Sequence, residues 1–414
     1  MSGIVLSSAV RQNLLSLQST ADLLATTQNR LASGKKVNSA LDNPTNYFTA
    51  QGLDNRASDI NNLLDAIGNG VQVLQAANTG LTSLQKLVDT AKSIANQVLQ
   101  TTTGYTQKSS ATSLAPTGAG VLATPGTAAD LTNAGTNSLN GKTFVFTPAA
   151  GAATTITVSS TVAAGNVNSI AAFNNALTTA GLGLTASLAS DGSITLTSSN
   201  DNASQTLTTG TTAAANNIAI SGTDTAALVT PTGGTAGAPL ADPNSQTTRA
   251  SLVTQYNNII AQITTTSQDS SFNGINLLYG DDLKLTFNET GKSTLNIPGV
   301  TYDAAGLGLG PLTAGTSFLD NSSANAVIAK VSAASDQLRS EASSLGSNLS
   351  IVQIRQDFAK SLINVLQTGS ANLTLADSNE EAANSQALST RQSIAVSALA
   401  LANQSQQSVL QLLR

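Results

Sequence analysis

The chain has 414 residues, a net charge of −5, no Cys, no His and no Trp. Only 10% of its residues are charged, against about 25% in ordinary soluble proteins, and 3% are aromatic. These absences exclude disulfides, thiol and iron–sulfur chemistry, His-dependent zinc motifs and a Ser-His-Asp triad, and the dispersed Lys and Arg form no patch for nucleic acid. No cofactor is expected.

The opening MSGIVLSSAV lacks the basic stretch and long apolar core of a secretory signal, so a Sec-type route is not expected. Val10, Leu14, Leu17, Ala21, Leu24, Gln28 and Leu31 then alternate steps of four and three, a heptad seam with one polar break. The stretch SGKKVNSALDNP at 33–44 ends that helix with Gly34 and Pro44. A longer pattern follows through Ile60, Leu64, Ile67, Val71, Leu74, Asn78, Leu81, Leu84 or Gln85, Val88, Ala91, Ala95 and Val98. It predicts a helix over 57–101, roughly 65 Å long, which is more than a compact domain needs. Gly68, Gly70 and Gly80 inside it each cost about 1 kcal/mol relative to Ala. Close helix–helix approach is the favoured reading of these glycines, and breaks in the helix the other.

From Gly104 to Pro243 the composition turns to Thr, Gly, Ala and Ser, which reads as an insertion. GKTFVF (141–146) and TTITV (154–158) alternate like strands, and GSITLTSSN (192–200) follows ASLASD as a hairpin. Between them Ile170, Phe173 and Leu177 give a helix, so the order is β-β-α-β-β, and TPTGGTAGAP (230–239) reads as loop. After Asn244 helical spacing returns at Leu252, Tyr256, Ile259 or Ile260 and Ile263. FNGINLLYG (272–280) and the strands KLTFN and STLNIPG come next, then a long helix carrying Val327, Val331, Ala334, Leu338, Leu345, Leu349, Val352, Leu362 and Val365.

The last helix bears two stripes, one through Ala395, Leu399, Ala402, Gln406, Val409 and Leu413, the other through Ile394, Ala398, Leu401, Ser405, Ser408 and Leu412. Residues 392–413 carry no charge, but Asn403, Gln404, Gln406, Gln407 and Gln411 interrupt them, so no membrane span is expected. Asp377, Glu380 and Glu381 read as helix N-terminal charge rather than as a cation site, Asp281–Asp282 as a solvated turn, and GLGLG (306–310) as a loop.

Both ends are thus amphipathic helices without a core of their own. Burying a Leu is worth about 1.5–3 kcal/mol, while ordering each residue costs about 1–2 kcal/mol of backbone entropy. A lone helix pair of this length is marginal. Packing against further copies would complete it, and an ordinary intramolecular coiled coil fits composition and spacing equally well.

The run LASGKKVNSALDNP, the segment GVQVLQAANTGL, the turn FNGINLLYG, and the EEAAN, TRQ, ALALANQ and VLQLL elements of the C-terminal run resemble bacterial flagellin. The resemblance covers about 1–103 and 245–414. It implies a mainly α fold: a discontinuous coiled-coil or helical-bundle core built from both chain ends, a small β-hairpin region and an inserted β-rich α+β outer domain. Residues 1–41 and 376–414 would be inner-core paired helices, 42–103 and 244–375 a long-helix tube domain, and 104–243 a surface-exposed variable domain. Core assembly contacts would fall to Leu14, Leu17, Leu24, Leu31, Ile394, Leu401, Val409 and Leu412. The implied function is a structural subunit of the flagellar filament, secreted unfolded through the flagellar type III apparatus. Its implied partners are further copies, a filament cap protein, hook–filament junction proteins and an export chaperone at the C-terminal helix. A junction protein or a filament-borne adhesin is the alternative, and an enzyme within the insertion is the weakest reading. Many flagellins carry Leu-Gln-Arg-Ile-Arg-Glu-Leu-Ala where an animal innate immune receptor binds. This chain keeps Gln85 but has Lys86 and Val88 in place of the two Arg, Asp89 in place of the Glu and Thr90 in place of the second Leu, so weak or absent receptor activation is expected.

Overall fold

The computed structural model describes residues 8–112, 131, 139–149, 151–161, 163, 165–188, 194–209, 217–221 and 237–412. The predicted turn at 189–193 and most of the predicted 230–239 loop lie outside them. The helices are α1 (Ser8–Ser33), α2 (Pro44–Gln100), α3 (Ile170–Thr179), α4 (Pro243–Asp269), α5 (Asn321–Thr374) and α6 (Ser378–Leu412). By compactness the chain divides into two units, Met1–Gln72 with Leu283–Ile297 and Ser347–Arg414, and Val73–Asp282 with Pro298–Gly346. This division runs through α2 and α5.

In the first unit α1 packs along α6, and the linkers beside them are zipped together. Lys36 and Val37 donate their amides to the Thr374 carbonyl at 2.7 and 3.3 Å, and Ala376 donates to that of Gly34 at 3.0 Å. Gly34 takes φ +68°, which suits a glycine after a helix end. Helix α2 starts at Pro44, well before the expected residue 57. Proline is pre-set for the first helical position, and the Asn43 side chain accepts from the Asn46 amide at 3.0 Å. Ala57 and Ile60 of α2 form a core with Ala359, Ile363 and Leu366 of α5. Val365, expected on the buried face, instead is exposed. Leu362, Ile363, Val365 and Leu366 offer two apolar registers, and the one facing α2 is Ala359–Ile363–Leu366. The hairpin β11 (Leu283–Thr286) with β12 (Thr294–Ile297) sits on these helices. Arg56 pairs with Glu289 at 2.8 Å, and the Arg355 guanidinium stands 5.8 Å from the centroid of Phe287.

In the second unit the stripe Leu74, Leu81, Val88 and Ala95 of α2 is fully buried or nearly so, as are Val253, Tyr256 and Ile263 of α4 and Val331, Ala334 and Leu338 of α5. Among the described residues the inserted region builds two larger sheets. One has the order β5-β4-β3-β9-β8, from β3 (Thr143–Pro148), β4 (Thr154–Val158), β5 (Asn166–Val167), β8 (Thr206–Thr209) and β9 (Asn217–Ser221). The other is β2-β7-β6, from β2 (Ser110–Thr112), β6 (Leu184–Leu188) and β7 (Ile194–Ser198). Strands β8 and β9 extend the predicted β-β-α-β-β order. Helix α3 closes the core with Phe173 edge-on to Phe144, centroids 5.0 Å apart. The short strands β1 (Tyr105–Gln107) and β10 (Leu240–Ala241) pair where the insertion leaves and rejoins the helices.

Candidate assembly face of the terminal helices

Helix α1 turns Val10, Thr20 and Thr27 fully inward, with Asn13, Leu17, Ala21, Leu24 and Arg30 half-buried. The seam therefore steps through 10, 13, 17, 20, 24 and 27. It shares Val10, Leu17 and Leu24 with the expected heptad but replaces Leu14 and Gln28 by their preceding neighbours. A polar seam position is tolerated because the Thr20 hydroxyl donates to its own helix at the Ser16 carbonyl, 2.8 Å away. On α6 the inward residues are Glu381, Ser385, Leu388, Gln392, Ala395, Leu399 and Ala402, alternating steps of four and three. The last three belong to the first of the two expected stripes. Ile394, Ala398, Leu401, Ser405 and Ser408 of the second stripe face outward.

The exposed set is correspondingly apolar. Leu14 is 43% exposed, Leu31 41%, Ile394 63% and Leu401 67%. Leu15, Leu23 and Val396 are exposed as well. Of the residues expected to make core contacts, Leu17 and Leu24 join the seam within the chain, while Leu14, Leu31, Ile394 and Leu401 stand outside it. The side chains of Val409 and Leu412 lie outside those described. Leu15 and Leu23 escape a heptad reading, because that reading follows a single stripe on a helix that here has apolar residues on two faces.

Among the described residues one ion pair ties the two helices. Arg30 reaches Glu381 at 3.5 Å, which fixes the pair as antiparallel, since the end of α1 meets the start of α6. Asp377 caps α6 by accepting from the amides of Asn379 at 2.9 Å and Glu380 at 3.4 Å. Asp377 thus serves the helix end, as its position after a linker leads one to expect, while Glu381 serves the ion pair. Leu23 and Ile394 flank an open groove of about 580 Å³ above the ion pair. No helix among the described residues is long and apolar enough to cross a membrane.

The segment compared with the receptor-binding stretch lies on α2. Val88 is fully buried on the 74-81-88-95 stripe, so it is a core residue, as its place in the helical pattern implies. Gln85 is half-buried and donates to the Ser335 hydroxyl at 2.6 Å. Lys86, Asp89 and Thr90 are the exposed members.

Comparison with known proteins bears on both ends. The bacterial flagellin N-terminal helical region matches residues 5–115, and the bacterial flagellin C-terminal helical region matches residues 328–413. Flagellin FljM of Caulobacter vibrioides is 32% identical over 166 residues, which are 40% of this chain and 59% of that protein. Flagellin A of Rhizobium meliloti is 40% identical over 90 residues, 22% of this chain and 23% of that one. The chain thus covers 59% of the length of the first of these relatives and less of the second. A crystal structure of the flagellar cap protein FliD D1-D2-D3 domains from Escherichia coli aligns with 69% of this chain and 99% of that one. Its identity is 14% and its TM-score 0.16, too low to carry an argument. Helices α1 and α6, which pack together from opposite ends of the sequence, fall within the two matched regions, and the chain belongs to the bacterial flagellin family.

Proposed function

We propose that this chain is the structural subunit of a bacterial flagellar filament, polymerising through its paired terminal helices to serve swimming motility. The observation that carries the reading is the outward apolar set Leu14, Leu31, Ile394 and Leu401 on a helix pair whose own seam is half polar. A Leu left in water forgoes about 1.5–3 kcal/mol of burial, and further copies of the same pair offer that burial. Residues 1–41 and 376–414 are the inner assembly element in this reading, 42–103 and 244–375 the surrounding tube, and 104–243 an outward domain. Export runs through the flagellar type III apparatus with a chaperone on the C-terminal helix. Growth takes place beneath a cap protein on hook–filament junction proteins, outside the cell. Exposed Lys86 and Thr90 stand where other flagellins present Arg and Leu, so the purified monomer activates the animal receptor weakly or not at all.

The test is seeded polymerisation of purified full-length chain, viewed by electron microscopy. Long filaments that disappear when 1–33 or 378–414 are deleted support the reading. A chain that stays monomeric with seeds present overturns it, and short stubs that cap existing filaments favour a junction role instead.

A further inference from the structure

Arg249 is the largest fully buried side chain of the described residues, and it is charged. It sits on α4, six residues after Pro243. Its guanidinium donates to the carbonyls of Phe318 at 3.0 Å and Thr102 at 3.2 Å, and to the Asn321 amide oxygen at 3.3 Å. Those acceptors belong to different stretches: the exit from α2, the approach to α5, and the first residue of α5. Gln246, one turn earlier on the same face, repeats the pattern by donating to the carbonyls of Gly104 at 2.8 Å and Leu319 at 3.5 Å. A Cβ on Gly104 would overlap the Gln246 amide and displace it from these carbonyls.

The stretch 318–322 has a second set of partners within the inserted domain. The Asp320 carboxylate accepts from the Ser204 hydroxyl at 2.6 Å and the Ser204 amide at 3.2 Å. Asn321 donates to the Asp201 carboxylate at 3.1 Å, and the Ser322 amide donates to the Asp201 carbonyl at 2.8 Å. This shared stretch is held in an unusual backbone shape. Phe318 is completely buried at φ +57°, a left-handed conformation that a bulky residue rarely adopts, with its ring edge-on to Tyr256. Such a conformation persists only where its surroundings over-determine it, and Arg249 supplies one of those constraints through the Phe318 carbonyl.

We propose that Arg249 is the keystone of a lock that fixes the direction of the inserted domain relative to α4 and α5, so that the domain is a rigid projection rather than a tethered one. Two thin strands, β1 and β10, are the covalent connections, and paired ribbons of that length do not hold a direction by themselves. The inserted domain has its own core around Phe144, Phe146 and Phe173, so it stays folded when the lock opens. A guanidinium is the fitting group here, because its planar fork can serve acceptors on several segments at once and keeps its charge when buried. The lock belongs to the monomer and operates whether or not the chain polymerises.

The chain has no native Cys, so spin labels can be placed without background. Asn175→Cys on the exposed side of α3 and Gln255→Cys on the exposed side of α4 report the angle between the two parts by pulsed electron–electron distance measurement. The expected result is a single narrow distance in the otherwise unchanged full-length chain. Arg249→Met should lose it to a broad distribution, with hydrogen exchange in β3 and β7 unchanged. A folded Arg249→Met protein with the same narrow distance overturns the proposal, and so does a broad distance before Arg249 is changed. Should Arg249→Met fail to fold, Gln246→Ala with Asn321→Ala removes the Gln246 bonds, the Arg249 bond to Asn321 and the bond from Asn321 to Asp201. Broadening in that pair supports the lock, and an unchanged narrow distance overturns it.

Discussion

Arg30 and Glu381 lie 351 positions apart in sequence, yet their side chains meet at 3.5 Å and close the two ends of the chain on each other. The Glu381 side chain is 10% exposed and that of Arg30 36%, which places the pair between the surface and buried regimes. Exposed pairs are worth about 0–1 kcal/mol, and breaking a fully buried one costs about 3–5 kcal/mol. Glu381→Ala is therefore expected to loosen the helix pair by about 1–2 kcal/mol, seen as faster hydrogen exchange in α1 and α6 of the monomer. A double-mutant cycle with Arg30→Met should return a favourable coupling. A coupling of zero would mean that the pairing rests on the seam alone.

The outward and inward residues of the terminal helices should separate cleanly on substitution. Leu401→Ser and Ile394→Ser remove groups already in water, so the melting of the monomer should move little. The concentration needed for seeded polymerisation should rise at least about tenfold for each, the equivalent of one Leu burial. Leu388→Ala, on the inward seam, should instead weaken the pair in the monomer. If Leu401→Ser polymerises at an unchanged concentration, the outward face is not the contact.

The helices and most strands of the insertion were legible because periodicity survives any tertiary arrangement. The face each helix turns inward was less so. Near the start of α1 the sequence offers Asn13 and Leu14 side by side, and apolarity favours Leu14 although Asn13 faces α6. The seam accepts polar residues because Thr20 satisfies itself on its own helix. Arg249 is hidden in the sequence for the opposite reason. It follows a run of polar residues at the start of α4 and looks solvated, and only the distant carbonyls of Thr102 and Phe318 make burial tolerable.

The glycines of α2 differ in what their missing side chains permit. A Cβ on Gly80 would overlap Ser270 and crowd the Leu278 methyl, whereas one on Gly68 meets only the Gln356 amide nitrogen at 3.9 Å. Gly80→Ala should therefore destabilise the chain by about 1–3 kcal/mol despite the better helix propensity of Ala. Gly68→Ala should stabilise it by up to about 1 kcal/mol. Gly70 falls between, since its obstacle is the movable end of Leu285. Thermal melts of the three variants check the order, and a stabilising Gly80→Ala would contradict the close approach.

The response to pH follows from which groups the fold perturbs. Burial pushes the Tyr256 phenol up to about 12, and burial together with the Glu341 carboxylate does the same for Tyr302, whose hydroxyl donates to Glu341 at 3.0 Å. In the unfolded chain both ionise near 10, so the folded state holds its protons more tightly. That stabilisation is complete below pH 10 and is lost as pH rises from 10 to 12. At the acid end, hydrogen bonds from Ser39 and Asn38 hold Asp42 below its ordinary value, and those from Ser245 do so for Asp242. Their contribution is present above pH 3.8 and lost as pH falls below it. With no His to titrate in between, the melting temperature of the monomer should be nearly flat through the neutral range and fall steeply above pH 10. Tyr302→Phe should cost about 1 kcal/mol at neutral pH through the lost hydrogen bond, and should flatten the alkaline fall. An alkaline limb of unchanged steepness in both Tyr302→Phe and Tyr256→Phe would place its origin elsewhere.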